Sequence, residues 1–202
     1  MIKNILWDFD GVILDSMKIR DYGFREIFKH FEKEKVEELI NYHRINGGLS
    51  RYVKIRFFYE EILSRRISES EVNQYADKFS VIMKEKLVDP QNLIQDSVTY
   101  IKENYKKYKF HIVSGSDQVE LRFLCKALEL SDYFLTIYGS PTPKKLLVAN
   151  VLNEFNYDIK ETILIGDSIN DFEAASVNNI SFSGYNNIDL KDKGEYIDKF
   201  IH

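Results

Sequence analysis

The stretch ILWDFDGVILDS, residues 5–16, places two carboxylates, Asp8 and Asp10, two residues apart where an apolar run meets a glycine. Like charges this close repel each other and raise each other's pKa unless a cation or a proton lies between them. The pair therefore predicts a site that binds a cation or transfers a proton.

Three further polar segments follow apolar runs later in the chain. They are SGSD with Ser114 and Gly115, SPTPKK with Lys144, and GDSIND with Asp167 and Asp171. The acids suit a hard divalent cation with oxygen ligands, most naturally Mg²⁺. We expect the amides after Ser114 to open a helix and form an anion site, and Lys144 adds a point charge suited to phosphate. Together these groups indicate phosphoryl transfer, where positioning and charge neutralisation do most of the catalysis.

The elements that must position these side chains are short apolar runs rich in Ile, Val, Leu and Phe, which predict strands buried on both faces. The predicted strands are 2–7, 110–113, 134–138, 162–165 and 180–182, and the later ones are separated by predicted helices 119–130, 144–155 and 171–177. This alternation predicts an α/β fold with a Rossmann-like parallel sheet. Ligands collect beyond the carboxyl ends of such strands, so the four polar segments should converge there.

Residues 18–88 show charged and apolar residues at helical spacing and no strand pattern. We predict a small α-helical cap domain, residues 16–89, inserted after the first strand into an α/β core domain of residues 1–15 and 90–202. Within the cap, the NGG at 46–48 should end one helix before Ser50 caps the next. Pro90 cannot continue a helix interior and marks the return to the core.

DFDGVILDS, IVSGS, the PTPKK lysine and GDSIND together resemble the four signature motifs of the haloacid dehalogenase (HAD) superfamily, in that family's order and approximate spacing. The helical insertion resembles the small cap of the phosphoglycolate phosphatase and β-phosphoglucomutase branch. Taken singly, each motif has an ordinary explanation. Asp8 could form a turn, Ser114 to Ser116 could cap a helix, Lys144 could be a solvated surface lysine, and GDSIND could be a capped helix start.

The resemblance implies a Mg²⁺-dependent phosphatase that hydrolyses a small-molecule phosphate monoester, such as a phosphosugar or phosphoacid, through an aspartyl-phosphate. Asp8 would be the nucleophile. Asp10 would protonate the leaving oxygen and then take a proton from the attacking water. Ser114 and the amide of Gly115 would hold phosphate oxygens, and Lys144 would neutralise charge on the nucleophile and the phosphate.

The same resemblance implies the metal ligands. Mg²⁺ would bind Asp8, the backbone carbonyl of Asp10, and Asp167, while Asp171 would lie at its edge, through water or by orienting Lys144. The metal and the lysine would then keep Asp8 ionised, and Asp10, whose side chain is off the metal, could carry a proton.

The segment GGLSRY, residues 47–52, resembles the cap segment with which β-phosphoglucomutase-like enzymes touch substrate. We therefore expect Arg51 to contact a carboxylate, hydroxyl or second phosphate of the metabolite; the alternative is an exposed arginine at a helix start. Mutases of this branch carry a histidine where this chain has Arg20, which favours hydrolysis. A sugar phosphomutase and a catalytically silent scaffold remain as alternatives, although clustered carboxylates are electrostatically costly without a cation.

Composition is that of an ordinary globular protein, with 44% hydrophobic and 30% charged residues among 202. The net charge of −4 argues against nucleic acid or an acidic membrane as partner. No apolar stretch approaches the roughly 18 residues of a membrane span. We expect a cytoplasmic enzyme acting on a small phosphorylated metabolite, with its oligomeric state open.

The single cysteine, Cys125, excludes an internal disulfide and should be a buried core residue.

Overall fold

The computed structural model describes residues 1–200 and contains a six-stranded sheet in the order β3-β2-β1-β4-β5-β6, with every neighbouring pair parallel. The strands are β1 Asn4–Trp7, β2 Lys109–Asp117, β3 Thr136–Ser140, β4 Thr162–Gly166, β5 Ser181–Tyr185 and β6 Glu195–Ile197. The α/β class and the parallel sheet expected from the sequence are confirmed.

Helices lie between β1 and β2 and between the later strands. They are α1 Met17–Ile27, α2 Lys33–Ile45, α3 Arg51–Phe57, α4 Glu69–Lys86, α5 Gln95–Asn104, α6 Gln118–Ala127, α7 Lys144–Glu154 and α8 Ile169–Val177. A π-helical turn, Phe58–Ile62, directly continues α3.

The central strand β1 is buried on both faces, which explains the unalternated apolar run at residues 5–7. Ile5 and Trp7 belong to one hydrophobic cluster and Leu6 to the other, as the two-residue repeat of a strand requires. Trp7 pairs in register with Ile112 on β2 and Ile165 on β4. All three strands therefore end at one edge of the sheet, where the polar segments begin.

Several boundaries differ from the sequence prediction. β2 continues to Asp117, four residues past its predicted end, with a register shift after Val113, and α6 starts at Gln118, one residue before its predicted start. α6 ends before the predicted limit because Glu129 adopts a left-handed backbone conformation with φ 57°. The sixth strand was not predicted, since its three residues lie within strongly charged text and it pairs only at the sheet edge beside β5.

The helical insertion, comprising α1 to α4 and their loops, packs around buried aromatic side chains that include Phe24, Phe28, Phe58 and Phe79. Ser50 begins α3, and its hydroxyl accepts a 3.4 Å hydrogen bond from the amide of Val53, as expected for a helix cap. The exact division into two domains stays a prediction.

Within residues 1–200, no helix combines the length and apolarity needed to span a bilayer. The predicted burial of Cys125 is confirmed, because the thiol lies on α6 in the main hydrophobic cluster.

Candidate active site

The carboxylate of Asp8 lies at the carboxyl end of β1 and is almost fully buried, with 2% of the residue exposed. Its Oδ1 is 2.8 Å from Nζ of Lys144, the first residue of α7. The same lysine contacts Oδ1 of Asp171, which lies on the first turn of α8. Strand β1 and helices α7 and α8 thus bring two acids and one lysine, distant in sequence, into a single buried ion-pair network.

A metal-type cluster is formed by Asp8, Asp167 and Asp171, which each offer an oxygen within 4.8 Å of the others. Gly11 makes this approach possible. A Cβ at Gly11 would lie 1.9 Å from Oδ2 of Asp167, and its φ of +75° disfavours any L side chain. The glycine of DFDG therefore serves both the turn and the close approach of the Asp167 carboxylate.

The charges of this network are unbalanced, since three carboxylates face one ammonium group. Burial, followed by the charge of Asp171, raises the pKa of Asp8 from 3.8 to about 7, even though Lys144 acts to lower it. Burial and the neighbouring Asp8 and Asp171 raise the pKa of Asp167 well above its ordinary value. Burial would lower the pKa of Lys144, but Asp171 and Asp8 outweigh it and raise that pKa. The donor set and its excess negative charge fit a divalent cation.

Asp10 points away from this cluster. Its carboxylate accepts a 2.7 Å hydrogen bond from Nε of Arg20 and further hydrogen bonds from the hydroxyls of Ser16 (2.5 Å) and Ser116. Burial acts to raise the pKa of Asp10, but the Arg20 charge and the two serine hydroxyls outweigh it, so the pKa is lowered. The surroundings of Asp10 therefore stabilise its anionic form.

Asp171 is held by three donors. In addition to Lys144 on Oδ1, its Oδ2 accepts hydrogen bonds from the amide and the hydroxyl of Ser168, at 3.0 and 2.6 Å. Orientation of Lys144, one of the two roles expected for Asp171, is the role that these contacts support.

Ser114 and Gly115 lie near the end of β2, where Ser114 is buried and its hydroxyl accepts a 3.1 Å hydrogen bond from the amide of Ser116. The expectation that their amides open a helix is wrong, because β2 extends to Asp117 and α6 is capped by the Asp117 carboxylate. A Cβ on Gly115 would lie 2.2 Å from the carbonyl oxygen of Gly48. The insertion loop therefore sits directly on this end of β2.

Arg51 is buried, with 4% exposed, so an exposed arginine at a helix start is ruled out. Its Nη2 is 2.7 Å from Oε2 of Glu120 on α6, its Nη1 donates to Ser80 at 2.6 Å, and its guanidinium lies 4.7 Å from the ring centre of Phe79. Oε1 of Glu120 also accepts a 3.3 Å hydrogen bond from Nη1 of Arg20. This carboxylate joins the helical insertion to the sheet domain.

A small cavity of about 20 Å³ lies between Asp10, Arg20, Arg51, Lys54 and Gly115, together with apolar side chains of the insertion. It has room for about one water molecule. A groove of about 490 Å³ runs outside it between the loop at 48–53 and the start of α7. The insertion is therefore closed over the site.

The sequence does not predict several residues of this site. Ser116 stands inside the SGSD motif, so its position offers a signal. Arg20 differs from the histidine of the mutase pattern, but this difference does not predict its contact with Asp10. Glu120 and Lys54 lie in helical text where charged residues are common, and nothing in their spacing separates them from a solvated helix face.

Acids and a lysine at the carboxyl edge of a parallel sheet, beneath a helical insertion, are the arrangement of an α/β enzyme. The chain belongs to the haloacid dehalogenase-like hydrolase family, whose model matches residues 5–185. The family predicted from the sequence is confirmed. A comparison with curated proteins gave no match.

Solved structures with a similar fold include relatives of the predicted branch. β-Phosphoglucomutase of Clostridium difficile is 19% identical, with a TM-score of 0.75 over 98% of this chain and 92% of that one. A predicted phosphoglycolate phosphatase of Haemophilus somnus is 16% identical, with a TM-score of 0.69 over 98% and 88%. The HAD hydrolase YfnB of Bacillus subtilis, described as bound to magnesium, is 16% identical, with a TM-score of 0.72 over 99% and 96%. At these identities the likeness concerns the fold.

Proposed function

We propose that this protein is a Mg²⁺-dependent phosphatase that hydrolyses the phosphate monoester of a small metabolite through an aspartyl-phosphate on Asp8. The observation that carries the proposal is the buried contact of Asp8 with Lys144, beside two more carboxylates and with Asp10 turned to a separate hydrogen-bond network. A nucleophile, a cation site and an acid–base group are the parts that phosphoryl transfer through a covalent intermediate needs.

Asp8 and Asp167 are the side chains that would hold the ion, with the backbone carbonyl of Asp10. When bound, Mg²⁺ supplies positive charge that neutralises the nucleophile and the phosphoryl oxygens. The excess of carboxylates over cations supports this assignment. The fold neighbour from Bacillus subtilis is described with bound magnesium, which agrees with it.

In the first step, an oxygen of Asp8 attacks phosphorus while the bond from phosphorus to the ester oxygen breaks. Asp10, in the protonated form that its surroundings disfavour, gives its proton to that leaving oxygen. Lys144 balances charge on Asp8, and the Ser114 hydroxyl and the Gly115 amide donate to phosphoryl oxygens. Because Lys144 is held from two sides by carboxylates, its ammonium group is already in place before substrate arrives.

In the second step, water attacks phosphorus, Asp10 takes its proton, and the bond from phosphorus to the Asp8 oxygen breaks to release inorganic phosphate. Arg20, Ser16 and Ser116 all donate to the Asp10 carboxylate and lower its pKa. These contacts keep the Asp10 carboxylate ionised, which is the form that can accept a proton from water.

The test is phosphate release from a broad panel of phosphorylated metabolites, measured with Mg²⁺ and with EDTA. We expect release from at least one ester with Mg²⁺, and a loss of about 10³-fold or more in Asp8→Asn, as for removal of a catalytic nucleophile. Asp132→Asn, an exposed acid remote from the site, is the matched control and should retain wild-type activity.

Two outcomes would contradict the proposal. One is the absence of phosphate release across the panel, which would leave a catalytically silent scaffold. The other is conversion of a phosphosugar to its isomer with only slow phosphate release, which would make the protein a mutase.

A further inference from the structure

A chain of three buried polar side chains crosses the helical insertion. Asp21 on α1, His43 on α2 and Lys54 on α3 are 3%, 1% and 3% exposed. His43 Nε2 lies 3.8 Å from Oδ1 of Asp21, and His43 Nδ1 lies 2.9 Å from Nζ of Lys54. Burying three ionisable groups in a small helical unit costs free energy unless the groups are paired or hydrogen-bonded.

The contacts fix the direction of the chain. A protonated Lys54 has no lone pair and can act only as a donor, so His43 Nδ1 is the acceptor. The proton of the neutral imidazole is then on Nε2, which faces Asp21. Burial, then the charges of Lys54, Arg20 and Arg44, lower the pKa of His43 well below 6.5, so the imidazole is neutral. Lys54 also donates to the carbonyl oxygen of Gly47 at 3.1 Å. Two of the three N–H bonds of its ammonium group are thereby used.

Lys54 has no counter-ion, because no carboxylate oxygen within residues 1–200 lies at ion-pair distance from its Nζ. The other cations around the small cavity are matched: Arg20 pairs with Asp10 and Glu120, and Arg51 pairs with Glu120. Burial, then the charge of Arg20, lowers the pKa of Lys54 to about 7, and Asp10 only partly opposes this.

The side chain of Lys54 lines the small cavity together with Asp10 and Gly115. In the proposed reaction, Gly115 holds the phosphoryl group and Asp10 protonates the leaving oxygen. The atoms of the leaving group just beyond that oxygen therefore enter the space beside Lys54.

We propose that Lys54 is the specificity-determining residue of the site, and that it binds an anionic oxygen on the leaving group of the phosphate ester, a carboxylate or second phosphoryl oxygen. His43 is its positioning residue. This inference rests on the proposed phosphatase function. The substrate supplies the negative charge that no carboxylate of the protein provides at Lys54, and the insertion must open to admit the ester, because the small cavity has room for about one water molecule.

The test compares esters matched in shape and different in charge. Glycerate 3-phosphate and glycerol 3-phosphate differ by a carboxylate against a hydroxymethyl group, and propane-1,3-diyl bisphosphate supplies a second phosphoryl group. The readout is the ratio of kcat/KM for each anionic ester to that for glycerol 3-phosphate. We expect the wild type to prefer an anionic ester and Lys54→Met to lose about tenfold or more of that preference, as for a hydrogen bond to a charged group.

Matched variants separate this role from general damage. Arg56→Met removes a cation from the same helix, where Arg56 is one-third exposed and pairs with Glu69, and it should leave the ratio unchanged. His43→Asn keeps an acceptor near the position of Nδ1 and should preserve the preference. His43→Phe removes that acceptor and should reduce it.

A second readout needs no variant. The wild-type KM for the preferred anionic ester should rise as pH increases above about 7, because Lys54 loses its proton, while the KM for glycerol 3-phosphate should not. The charged groups that face Lys54 are Arg20, Asp10, Arg51 and Lys144, and His43 is neutral throughout this range. This readout decides the question if Lys54→Met fails to fold.

Failure of this inference differs from failure of the proposed function. Esters that are hydrolysed without any preference for the anionic ones, or a preference undiminished in Lys54→Met, overturn the role of Lys54 alone. If no ester is hydrolysed, calorimetric binding of glycerate 3-phosphate and glycerol 3-phosphate to Asp8→Asn, with and without Lys54→Met, gives the same comparison without turnover. Equal affinities for the two esters there would overturn the inference.

Discussion

Replacing the nucleophile should make the metal-free protein more stable while it abolishes turnover. Asp8 is buried beside Asp167 and Asp171, and Lys144 is the only cation that contacts it among the described residues. Asparagine has nearly the same shape and carries no charge. Asp8→Asn therefore removes one buried negative charge from an overcrowded set and leaves the contact between Lys144 and Asp171 in place.

The size of the effect follows from the pKa of Asp8, which burial and Asp171 raise from 3.8 to about 7. A carboxyl whose pKa is higher in the folded state than in the unfolded state stabilises the fold at low pH and loses that contribution as pH rises through the folded pKa. At about 1.4 kcal/mol per pKa unit, the ionised group costs up to about 4 kcal/mol near pH 8. On the order of 1 kcal/mol of that loss should develop between pH 6 and pH 8.

Urea denaturation in EDTA at pH 6 and pH 8 measures this difference for wild type, Asp8→Asn and the control Asp132→Asn. We expect Asp8→Asn to have the larger free energy of unfolding, with its advantage greater at pH 8. Added Mg²⁺ should stabilise the wild type by binding only the folded state, and should stabilise Asp8→Asn less.

If Asp8→Asn is less stable than wild type in EDTA at pH 8, repulsion among the buried carboxylates does not destabilise the fold. The electrostatic argument for a cation at this site is then wrong. The same conclusion follows if Mg²⁺ stabilises both proteins equally.

Three further predictions follow from single contacts. Gly11→Ala should raise the Mg²⁺ concentration for half-maximal activity and destabilise the fold by about 1–2 kcal/mol, measured by titration and urea denaturation, because its Cβ would strike Asp167 at a positive φ. Ser116→Ala removes a donor to Asp10, so the pKa of Asp10 should rise; because the leaving-group step uses protonated Asp10, the basic limb of the kcat/KM profile should move to higher pH, and an unmoved limb would contradict this. His111 has its pKa lowered by burial from 6.5 to about 4, so the unfolded state binds the extra proton and stability should fall by about 2 kcal/mol between pH 7.5 and pH 5, a loss that His111→Gln should lack.

The fold was largely predictable because its signals are local. An unalternated run such as that of β1 indicates a strand buried on both faces, and a loop such as NGG before Ser50 marks a helix boundary. The predicted boundaries were wrong where nonlocal strand pairing or an unusual backbone conformation sets the end of the element. β2 extends through Ser114 to Asp117 because β3 pairs with it there, and α6 ends early because of the left-handed Glu129.

The candidate site divides in the same way. Asp8, Lys144, Asp167 and Asp171 are brought together at one edge of the sheet, as the motifs predicted. The partners that tune them could not be read from the motifs, because a hydrogen bond such as that between Arg20 and Ser116 joins residues 96 positions apart. The sequence predicted a substrate contact for Arg51, yet only the tertiary structure shows that it pairs with Glu120 on α6.

What the sequence by itself determined is the class of chemistry: a parallel sheet whose strand ends carry acids, a hydroxyl and a lysine, since strand periodicity and motif order are properties of neighbouring residues. Which of these groups are charged, paired or left without a counter-ion was decided by the tertiary structure alone. Desolvation and Coulomb energies depend on distances in space, and elements far apart in the chain set those distances. The unmatched ammonium group of Lys54 is the clearest case, because its helix reads as an ordinary charged segment until the insertion closes over the sheet.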